Sequence, residues 1–409
     1  MITIEDVEAA RATLDGIIVK TPVLASDRLS QDVGGSVFVK AENTQRAGSF
    51  KLRGAYVKLA SLSAAERRRG VIAHSAGNHA QGVALAARLL DVPAIVVMPE
   101  YAPLAKIVAT RRYGADVILR GASFDDAGAY ARQLQEERGL SYVHAFDDPR
   151  TVAGQGTVGL ELLEALPEVD TVIVPVGGGG LIAGMAIVLR SRRPKVRIIG
   201  VQAEGCPSIR LSLAAGKPMV VPEARTIADG IAVKRPGDVT LPVIRDLVDD
   251  VITVDEDEIA RGIVYAVQNL RQVAEGGGAV GISALLARKV RPRDGEQIAV
   301  VLSGGNIDAN FLARVIEQVL VKQGRYVVLH TTVPDRPGNL APLVNNVAAA
   351  GANIIDIHHR RAAWQVAVDR VGIELILEVR DEEHAGALIR ELTEHGYDVE
   401  RVGEGEYPA

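Results

Sequence analysis

The feature that most constrains this chain is a repeated alternation of short, continuously apolar segments with longer segments of helical periodicity. Apolar segments without polar alternation predict strands covered on both faces, as in a parallel sheet. We therefore predict an α/β fold with helices on both faces of mostly parallel sheets. The predicted strands are residues 37–40, 71–74, 94–98, 116–119, 172–176, 196–201 and 298–302. The predicted helices are residues 4–21, 50–62, 78–90, 103–113, 124–138, 156–166 and 181–189.

The pattern changes near Gly324. Beyond it the strand and helix signals follow the order β-α-β-β-α-β, which is that of a small ferredoxin-like unit. We expect a larger domain over residues 1–320, with a small lobe at roughly 48–145 inserted in a larger lobe. A linker at 321–325 and a second domain over 326–409 would follow. The predicted elements of the second domain are residues 326–331, 339–350, 353–361, 372–379, 382–394 and 398–402.

The segment from Ala47 to Ala55 places a lysine at the start of a helix. Gly48 and Ser49 predict a turn and an N-cap, so Lys51 falls in the first helical turn. A cation there opposes the helix dipole, and the apolar neighbours Phe50 and Leu52 favour the neutral, nucleophilic amine. Lys51 is therefore a candidate to form a Schiff base with a carbonyl cofactor. The alternative is an ordinary surface lysine.

Three polar or glycine-rich segments each follow a predicted strand. They are Ser75-Ala76-Gly77-Asn78, Val176-Gly177-Gly178-Gly179-Gly180-Leu181 and Ser303-Gly304-Gly305-Asn306. Open α/β sheets bind ligands beyond the carboxyl ends of their strands, so the three loops predict one cleft. The four consecutive glycines before a helix suit a phosphate, because backbone N–H groups and the helix dipole both attract an anion. The alternative is a tight strand-to-helix connection. No Gly-Lys-Ser/Thr follows, so a nucleotide P-loop is excluded.

These motifs and their order resemble the pyridoxal-phosphate enzymes of the tryptophan-synthase-β fold type, and most closely the threonine dehydratases (threonine ammonia-lyases). The likeness extends from about residue 4 to residue 316. It implies a two-lobed, fold-type-II catalytic domain over residues 1–320 and pyridoxal 5'-phosphate as the cofactor. The residues that it places at the cofactor are Phe50, Lys51, Asn78, Gly177, Gly178, Gly179, Gly180, Leu181 and Ser303.

The resemblance also implies the reaction. Lys51 anchors the cofactor and, once freed by the substrate amine, removes the α-proton, with Ser75 also at the catalytic centre. The loop formed by Ser75, Ala76, Gly77 and Asn78 holds the substrate carboxylate, and Asn78 bonds the cofactor's phenolic oxygen. A hydroxyl at Ser303, facing the pyridine nitrogen, favours β-elimination over routes that need a long-lived carbanion. L-Threonine would give 2-oxobutanoate and ammonia, with L-serine as a second substrate. Glu275 lies where the family has a glutamate near the ring.

Two departures from related enzymes carry information. Serine racemases have a second serine where this chain has Ala76, which argues against racemisation. Some relatives bind a divalent cation at the positions occupied here by Glu204, Ser208 and Arg210. Arginine does not ligate cations and would instead pair with Glu204. We predict no divalent metal at this position, and a monovalent cation near Glu204 stays open.

The second domain suggests regulation. The segment from Asp335 to Leu340 resembles the signature loop of ACT regulatory domains, which commonly bind amino acids between copies of the domain. The resemblance implies an effector near Gly338 and Asn339, such as isoleucine or valine, and an even-numbered assembly, either a homodimer or a homotetramer. The alternative is a loop built only for a tight turn.

Composition limits the partners and the compartment. Lys plus Arg is 46 and Asp plus Glu is 51, a net charge of -5, which gives no support to a nucleic-acid partner. No apolar run is long enough to span a membrane. The single cysteine, Cys206, excludes an intrachain disulfide. With no signal-like N-terminus, the sequence predicts a cytoplasmic protein.

Three alternatives stay open or are disfavoured. Within the same chemistry, one alternative is a serine-preferring dehydratase or another β-lyase. The single methyl group that distinguishes threonine from serine contributes little to discrimination between the two substrates. In a different class, it would be a non-catalytic amino-acid sensor that keeps the fold. A dinucleotide-binding oxidoreductase is disfavoured because no Gly-x-Gly-x-x-Gly follows the first strand.

Overall fold

The computed structural model describes residues 2–360 and 367–402. The chain forms two compact units, Met1–Asp308 and Ala309–Ala409. This division precedes helix Ala309–Lys322, whereas the sequence pattern places a linker at 321–325. The domain boundaries at residues 320 and 326 stay predictions. Arg361, at the end of one predicted strand, and residues 403–409 of the predicted second domain lie outside the described residues.

The first unit alternates strands and helices along the chain. Its helices are α1 Ile4–Leu14, α2 Asp27–Val33, α3 Lys51–Ala60, α4 Ala64–Arg69, α5 Asn78–Leu90, α6 Leu104–Arg112, α7 Phe124–Arg138, α8 Pro149–Ala165, α9 Gly180–Arg192, α10 Ser208–Ala215, α11 Thr240–Leu247, α12 Glu256–Tyr265 and α13 Gly276–Leu286. Its strands are β1 Val23–Ala25, β2 Ser36–Ala41, β3 Val71–His74, β4 Ala94–Met98, β5 Asp116–Leu119, β6 Ser141–Tyr142, β7 Thr171–Pro175, β8 Arg197–Ala203, β9 Asp250–Val254 and β10 Gln297–Leu302. Two short 3-10 turns, Glu42–Thr44 and Asp229–Ile231, and a π-helical turn, Ala266–Leu270, complete it.

Two sheets divide the first unit into lobes. The larger sheet has the order β1-β2-β10-β7-β8-β9 and is parallel except for β1 at its edge. The smaller sheet, with the order β5-β4-β3-β6, is parallel throughout. Every residue of β7 is buried, as expected for a strand covered on both faces. The predicted α/β fold with two parallel sheets is therefore confirmed.

The second unit begins with α14 Ala309–Lys322 and continues with a β-α-β-β-α-β order. Within the described residues its sheet has the order β12-β13-β11-β14 and is antiparallel. Side chains such as Leu329, Leu343, Leu375 and Leu388 form a separate apolar core. The ferredoxin-like fold of this unit is confirmed. Its remaining elements are β11 Tyr326–Pro334, α15 Leu340–Ala349, β12 Asn353–Arg360, β13 Arg370–Glu378, α16 Glu382–Glu394 and β14 Glu400–Arg401.

Four charged side chains are buried together in the first unit and form what we call the buried ion cluster: Lys40, Glu42, Arg53 and Glu161. Lys40, Glu42 and Arg53 are fully buried and Glu161 is 7% exposed. Arg53 donates to Glu42 at 2.8 Å and to Glu161 at 2.6 Å, and Lys40 donates to Glu161 at 2.6 Å. Two positive and two negative charges balance. The cluster joins α3, which carries Lys51, to α8 and to the end of β2.

Three local predictions were wrong. The first helix ends at Leu14, not at residue 21, because Gly16 adopts a left-handed turn with φ +69°. The helix predicted over 156–166 starts at Pro149, because Asp148 caps the N–H groups of Arg150 and Thr151. Ser49 is not an N-cap; its backbone pairs with Gly304, and its buried hydroxyl has no partner among the described residues.

Candidate active site

Lys51 is the first residue of α3, and Phe50 occupies the N-cap position without a side-chain cap. The Lys51 amine donates to the carbonyl oxygen of Ala145 at 3.0 Å and lies 5.1 Å from the centre of the Phe50 ring. Burial lowers the pKa of Lys51 to about 8, although the carboxyl group of Glu275 opposes the shift. A substantial fraction of the amine is therefore neutral and nucleophilic at mildly alkaline pH.

The backbone joins the Lys51 segment to the Ser303 loop. Ser49 and Gly304 form an isolated antiparallel bridge, the Phe50 N–H donates to the Ser303 carbonyl at 3.2 Å, and the Gly305 N–H donates to Gly48 at 2.9 Å. These bonds link two loops that are about 250 residues apart in sequence. The Ser303 side chain is 4% exposed and its hydroxyl donates weakly to the carbonyl of Gly277, at 3.4 Å.

Asn78 opens α5 and connects to Glu275. Its side-chain amide nitrogen donates to the Glu275 carboxyl group in a short hydrogen bond. Burial, reinforced by Asp229, raises the pKa of Glu275 to about 7, against the opposing effect of the Asn78 bond. Helix α5 approaches α3 closely here, since a Cβ on Gly82 would lie 3.0 Å from the Lys51 carbonyl carbon. Asn78, Glu275 and Lys51 are thus brought into one site.

The Ser75 loop precedes the same helix. The Ser75 side chain is 9% exposed, and its hydroxyl accepts from the Gly77 N–H at 3.2 Å. A Cβ on Gly77 would meet nothing within 4 Å, so this part of the loop borders open space. Ala76 is half-buried beside it. The loop therefore presents its backbone and the N-terminus of α5 to the cleft.

The glycine run forms the turn from β7 into α9. Gly179 takes the N-cap position with φ +94°, and Gly180 and Leu181 begin the helix. A Cβ on Gly178 would lie 2.4 Å from the Phe146 ring, and one on Gly177 would lie 3.0 Å from Ile231. Packing alone therefore accounts for glycine at these positions. The glycine run suits an anion because it leads into the N-terminus of α9. The first N–H groups of a helix have no intrahelical acceptor and are available to bind an anion.

Two residues at the site, Ala145 and Phe146, were not predicted from the sequence. The Ala145 carbonyl accepts from Lys51, and the Phe146 ring packs on the glycine run. His144 shapes this turn because its Nδ1 accepts from the N–H groups of Phe146 and Asp147. The turn follows the two-residue strand β6, which pairs with β3 in parallel. Recognising that short strand would have placed the turn at the same edge as Ser75.

The nearby imidazole groups are neutral. Burial, helped by the charge of Lys51, lowers the pKa of His79 to about 3, and burial lowers the pKa of His144. The Nε2 of His79 bonds the Val143 carbonyl at 2.8 Å, consistent with a packed side chain. Neither imidazole adds positive charge beside Lys51 near neutral pH.

The position used for cations by some relatives has a different environment. Arg210 donates to the Thr253 hydroxyl at 3.0 Å, and Ser208 donates to the Val233 carbonyl at 2.6 Å. The expected ion pair between Arg210 and Glu204 does not form in this part of the described chain, so that expectation was wrong. Residues 2–360 and 367–402 contain no group of three His, Cys, Asp or Glu side chains able to hold a metal ion. Among the helices of these same ranges, none has the length and apolarity needed to cross a membrane.

Comparison with known proteins identifies the class. The family described as "Pyridoxal-phosphate dependent enzyme" matches residues 14–304, and this chain belongs to that family. The match includes the Lys51 segment, the Ser75 loop and the glycine run, and it ends within the fourth motif, at Gly304. The predicted cofactor and the resemblance stated from the motifs are confirmed.

Individual relatives narrow the comparison. The chain is 49% identical to the L-threonine ammonia-lyase of Thermotoga maritima over 403 residues, which cover 98% of this chain and all of that protein. The solved threonine deaminase isoform 2 of Solanum lycopersicum is 39% identical, with a TM-score of 0.74, over 78% of this chain and 87% of that one. Maize serine racemase is 38% identical with the same TM-score, over 78% of this chain and 98% of that one.

The residues present fit pyridoxal phosphate. The amine of Lys51 has a lowered pKa, the α9 N-terminus offers backbone donors, and Asn78 has one amide N–H left after its bond to Glu275. Lys51 would anchor the aldehyde, residues Gly177–Leu181 would receive the phosphate, and Ser303 would face the ring nitrogen. The role of each residue stays a prediction.

Proposed function

We propose that this chain is a threonine ammonia-lyase, which converts L-threonine to 2-oxobutanoate and ammonia and also accepts L-serine, giving pyruvate. The observation that carries the proposal is the union of Lys51, Asn78, Glu275 and the Ser303 loop in one site, with Lys51 partly deprotonated. The overall similarity to the threonine ammonia-lyase of Thermotoga maritima supports the choice of threonine.

Each residue has a defined task in the proposed reaction. When bound, pyridoxal phosphate supplies an aldehyde that condenses with amines and a conjugated ring that withdraws electrons from the substrate α-carbon. The backbone of the Ser75 loop and the α5 N-terminus bind the substrate carboxylate. The Ser303 hydroxyl, a neutral group, would face the ring of the bound cofactor without adding charge to it.

Proton transfer falls to Lys51. Its neutral amine removes the α-proton of the substrate as general base, because a pKa of about 8 leaves the amine both available and basic. The β-hydroxyl then leaves with a proton as water. Hydrolysis of the released unsaturated amine gives the 2-oxo acid and ammonia, so the water lost is regained and the atoms balance.

The test measures the cofactor and the reaction separately. The purified protein is examined for the visible absorbance of bound pyridoxal phosphate and assayed for 2-oxo acid production from L-threonine and L-serine, beside Lys51→Ala. A matched control is Lys58→Ala, which changes a lysine on the same helix that pairs with Asp148 at 2.6 Å. We expect the parent and Lys58→Ala to show the absorbance band and turn over threonine, and Lys51→Ala to do neither.

The outcomes separate the alternatives. Absence of the band in the parent, even with added cofactor, would contradict the proposed enzyme and favour the amino-acid sensor. A band without threonine turnover would contradict the substrate and direct the assay to serine and other β-substituted amino acids. Keto-acid release by Lys51→Ala at the parent's rate would exclude Lys51 as the base.

We also propose that the second unit is an ACT domain that binds an amino-acid effector at the loop containing Gly338 and Asn339. Gly338 has φ +91°, and a Cβ there would meet nothing within 4 Å, so this loop borders open space. Asn339 precedes α15, and its side chain donates to the Pro334 carbonyl at 3.2 Å, which fixes the loop. Isoleucine or valine are the effectors to try first.

A pair of glycine variants tests this regulatory site. Gly338→Ala and Gly351→Ala both place a methyl group at a left-handed position with open surroundings, so the backbone strain is matched. We expect isoleucine or valine to change the activity of the parent and of Gly351→Ala, and to affect Gly338→Ala more weakly. Equal responses in both variants would place the effector elsewhere.

We propose a cytoplasmic location for the enzyme. The single cysteine, Cys206, is buried and cannot form an intrachain disulfide. This agrees with a reducing compartment, in which disulfides are rare. The test is fractionation of the source cells, with an antibody to detect the protein. Detection of the protein in an extracellular or membrane fraction would contradict the proposal.

A further inference from the structure

Asn306 ends the Ser303-Gly304-Gly305-Asn306 segment and has no role in the reaction described so far. Its side-chain nitrogen donates two hydrogen bonds, one to the Ala47 carbonyl and one to the side-chain oxygen of Asn78, each at 2.8 Å. Ala47 lies in the turn that leads into the Lys51 helix, and Asn78 opens α5. One side chain therefore connects three of the four motifs of the site.

The chemistry of these groups fixes the direction of every hydrogen bond in the series. A backbone carbonyl only accepts, so Asn306 must present its NH₂ group to Ala47. The same NH₂ group then requires an acceptor from Asn78, so Asn78 must present its oxygen. The Asn78 nitrogen is left facing Glu275, to which it donates one N–H. The remaining N–H of Asn78 has no acceptor among the residues that the structure describes and is available to a ligand in the cleft.

Two glycines make room for this series. Gly48 has φ +70°, and a Cβ there would lie 2.3 Å from the side-chain oxygen of Asn306. A Cβ on Gly304 would lie 2.9 Å from the Asn78 nitrogen and 2.4 Å from the Glu275 carboxyl oxygen. Any larger residue at either position would displace an amide of the series. The motif glycines therefore have a packing role that is separate from binding an anion.

We propose that Asn306 is a positioning residue that holds the Asn78 amide with its nitrogen toward Glu275 and the cleft, and fixes the turn before Lys51. This rests on the proposed function, in which Asn78 bonds the phenolic oxygen of the cofactor. Without Asn306, the Asn78 amide is free to turn over and present an oxygen where a donor is needed. Such a reversal places an acceptor against Glu275 and against the cofactor oxygen.

The test compares Asn306→Asp and Asn306→Ala with Asn43→Ala in the full-length protein. Asp has the size of Asn but no N–H, so it removes the two donated hydrogen bonds without emptying the space that the side chain fills. Ala removes the same bonds without adding the charge of a carboxylate, so an effect shared by both variants comes from the lost donors. Asn43 is a matched control because its nitrogen also bridges a side-chain oxygen, that of Gln272 at 2.9 Å, and a backbone carbonyl, that of Val273 at 3.1 Å. The readouts are the dissociation constant for pyridoxal phosphate, the pH at which its visible band titrates, and the melting temperature without cofactor.

We expect both Asn306 variants to bind the cofactor about tenfold more weakly, the usual effect of losing one hydrogen bond and leaving its partner unpaired. We also expect the titration of the visible band to move relative to the parent. Asn43→Ala should leave both properties unchanged. In an Asn78→Ala background, Asn306→Asp should weaken cofactor binding less than it does in the parent, because only the bond to the Ala47 turn is then left to lose.

Two results would overturn the proposal. One is an unchanged cofactor affinity and band titration in folded Asn306→Asp; the other is an equal loss with and without Asn78. Cofactor binding is measured without substrate, so the result does not depend on which amino acid the enzyme turns over. If the parent did not turn over threonine, the proposed substrate would be contradicted. The binding data would still decide whether Asn306 has the proposed role.

Discussion

The reactive state of Lys51 depends on its surroundings in the folded chain. Its sequence neighbours Phe50 and Leu52 suggest a neutral amine, but burial is the largest cause of the lowered pKa, and Glu275 opposes it from about 220 residues away. The carbonyl of Ala145 accepts from the amine and so gives it one orientation. The motif alone predicts the direction of the pKa shift of Lys51, whereas its main cause, burial, depends on the fold.

The capture of pyridoxal phosphate by the cofactor-free protein should accelerate with pH and level off above about pH 8. Below that pH Lys51 is mainly ammonium, which is not nucleophilic, and above it the amine is mainly neutral. Rapid-mixing absorbance measurements on both sides of pH 8 would check this, with a free lysine derivative as the control for the aldehyde's own pH dependence. A rate that continues to rise toward the ordinary lysine pKa of 10.5 would contradict it.

Glu275→Gln should stabilise the cofactor-free protein more at alkaline than at acidic pH. The folded pKa of Glu275, about 7, is above its ordinary value of 4.5, so the folded state holds a proton that the unfolded state releases. Stability is therefore unaffected below pH 4.5 and falls as pH rises to 7, by on the order of 3 kcal/mol. Gln removes this loss and still accepts from Asn78.

Chemical denaturation of the parent and Glu275→Gln at several pH values measures the effect. The gain in the free energy of unfolding should be small near pH 5 and reach its full size above pH 7. A gain that is the same at all pH values would mean that Glu275 does not change its protonation on unfolding in this range.

At the scale of elements, the contact between α3 and α8 is held by the buried ion cluster. Glu161→Gln should destabilise the protein by about 3 to 5 kcal/mol, because Arg53 and Lys40 are left buried with one carboxylate fewer. Glu164→Gln is the control on the same helix. Glu164 also pairs with two cations, Arg11 and Lys20, but is 34% exposed, so its loss should cost less than about 1 kcal/mol.

Urea denaturation of both variants provides the comparison. Similar losses in the two variants would show that burial does not decide the strength of these ion pairs. A large loss in the free energy of unfolding that is confined to Glu161→Gln would show that the buried ion cluster stabilises the packing of the helix that carries Lys51.

Element prediction from sequence succeeded where a single local signal was strong. The bounds of α5, α7 and α16 and of strands β3 to β5 are those predicted, because long helical periods and continuous apolar runs mark them clearly. The short strands β1 and β6 and strand β9 were not predicted. The first two have three and two residues, too few to show a period, and their pairing partners are distant in sequence.

Part of the candidate site could also be predicted from the sequence. The part that was missed depends, like the short strands, on residues that are distant in sequence. The motifs carry Lys51, Asn78 and Ser303, and the carboxyl-edge rule brings their loops to one cleft. Ala145 accepts a hydrogen bond from Lys51 through its backbone carbonyl, and no pattern of side chains in the sequence predicts such a contact. The role of Phe146 depends on which glycine it meets across the site. Tertiary contacts of this kind require the fold itself.

For the whole molecule, the apolar core of the second unit is separate from the apolar clusters of the first unit. The proposed ACT assignment leads to an even-numbered homo-oligomer, since such domains commonly pair. Light scattering coupled to gel filtration should give a mass that is two or four times the 43.4 kDa of one chain. A mass of one chain at the concentrations used for assay would contradict the prediction.

The buried ion cluster also limits how this protein can change by mutation. Its four charges balance, so any single substitution that removes one of them leaves an uncompensated charge in the interior. The cost, about 3 to 5 kcal/mol, is a large part of the free energy of unfolding of a typical domain, about 5 to 15 kcal/mol. Lys40, Glu42, Arg53 and Glu161 can therefore be exchanged for apolar residues only in coordinated steps. Random mutagenesis that samples one position at a time should therefore recover few stable variants at these positions, whereas replacing all four charges together with apolar residues leaves no uncompensated charge.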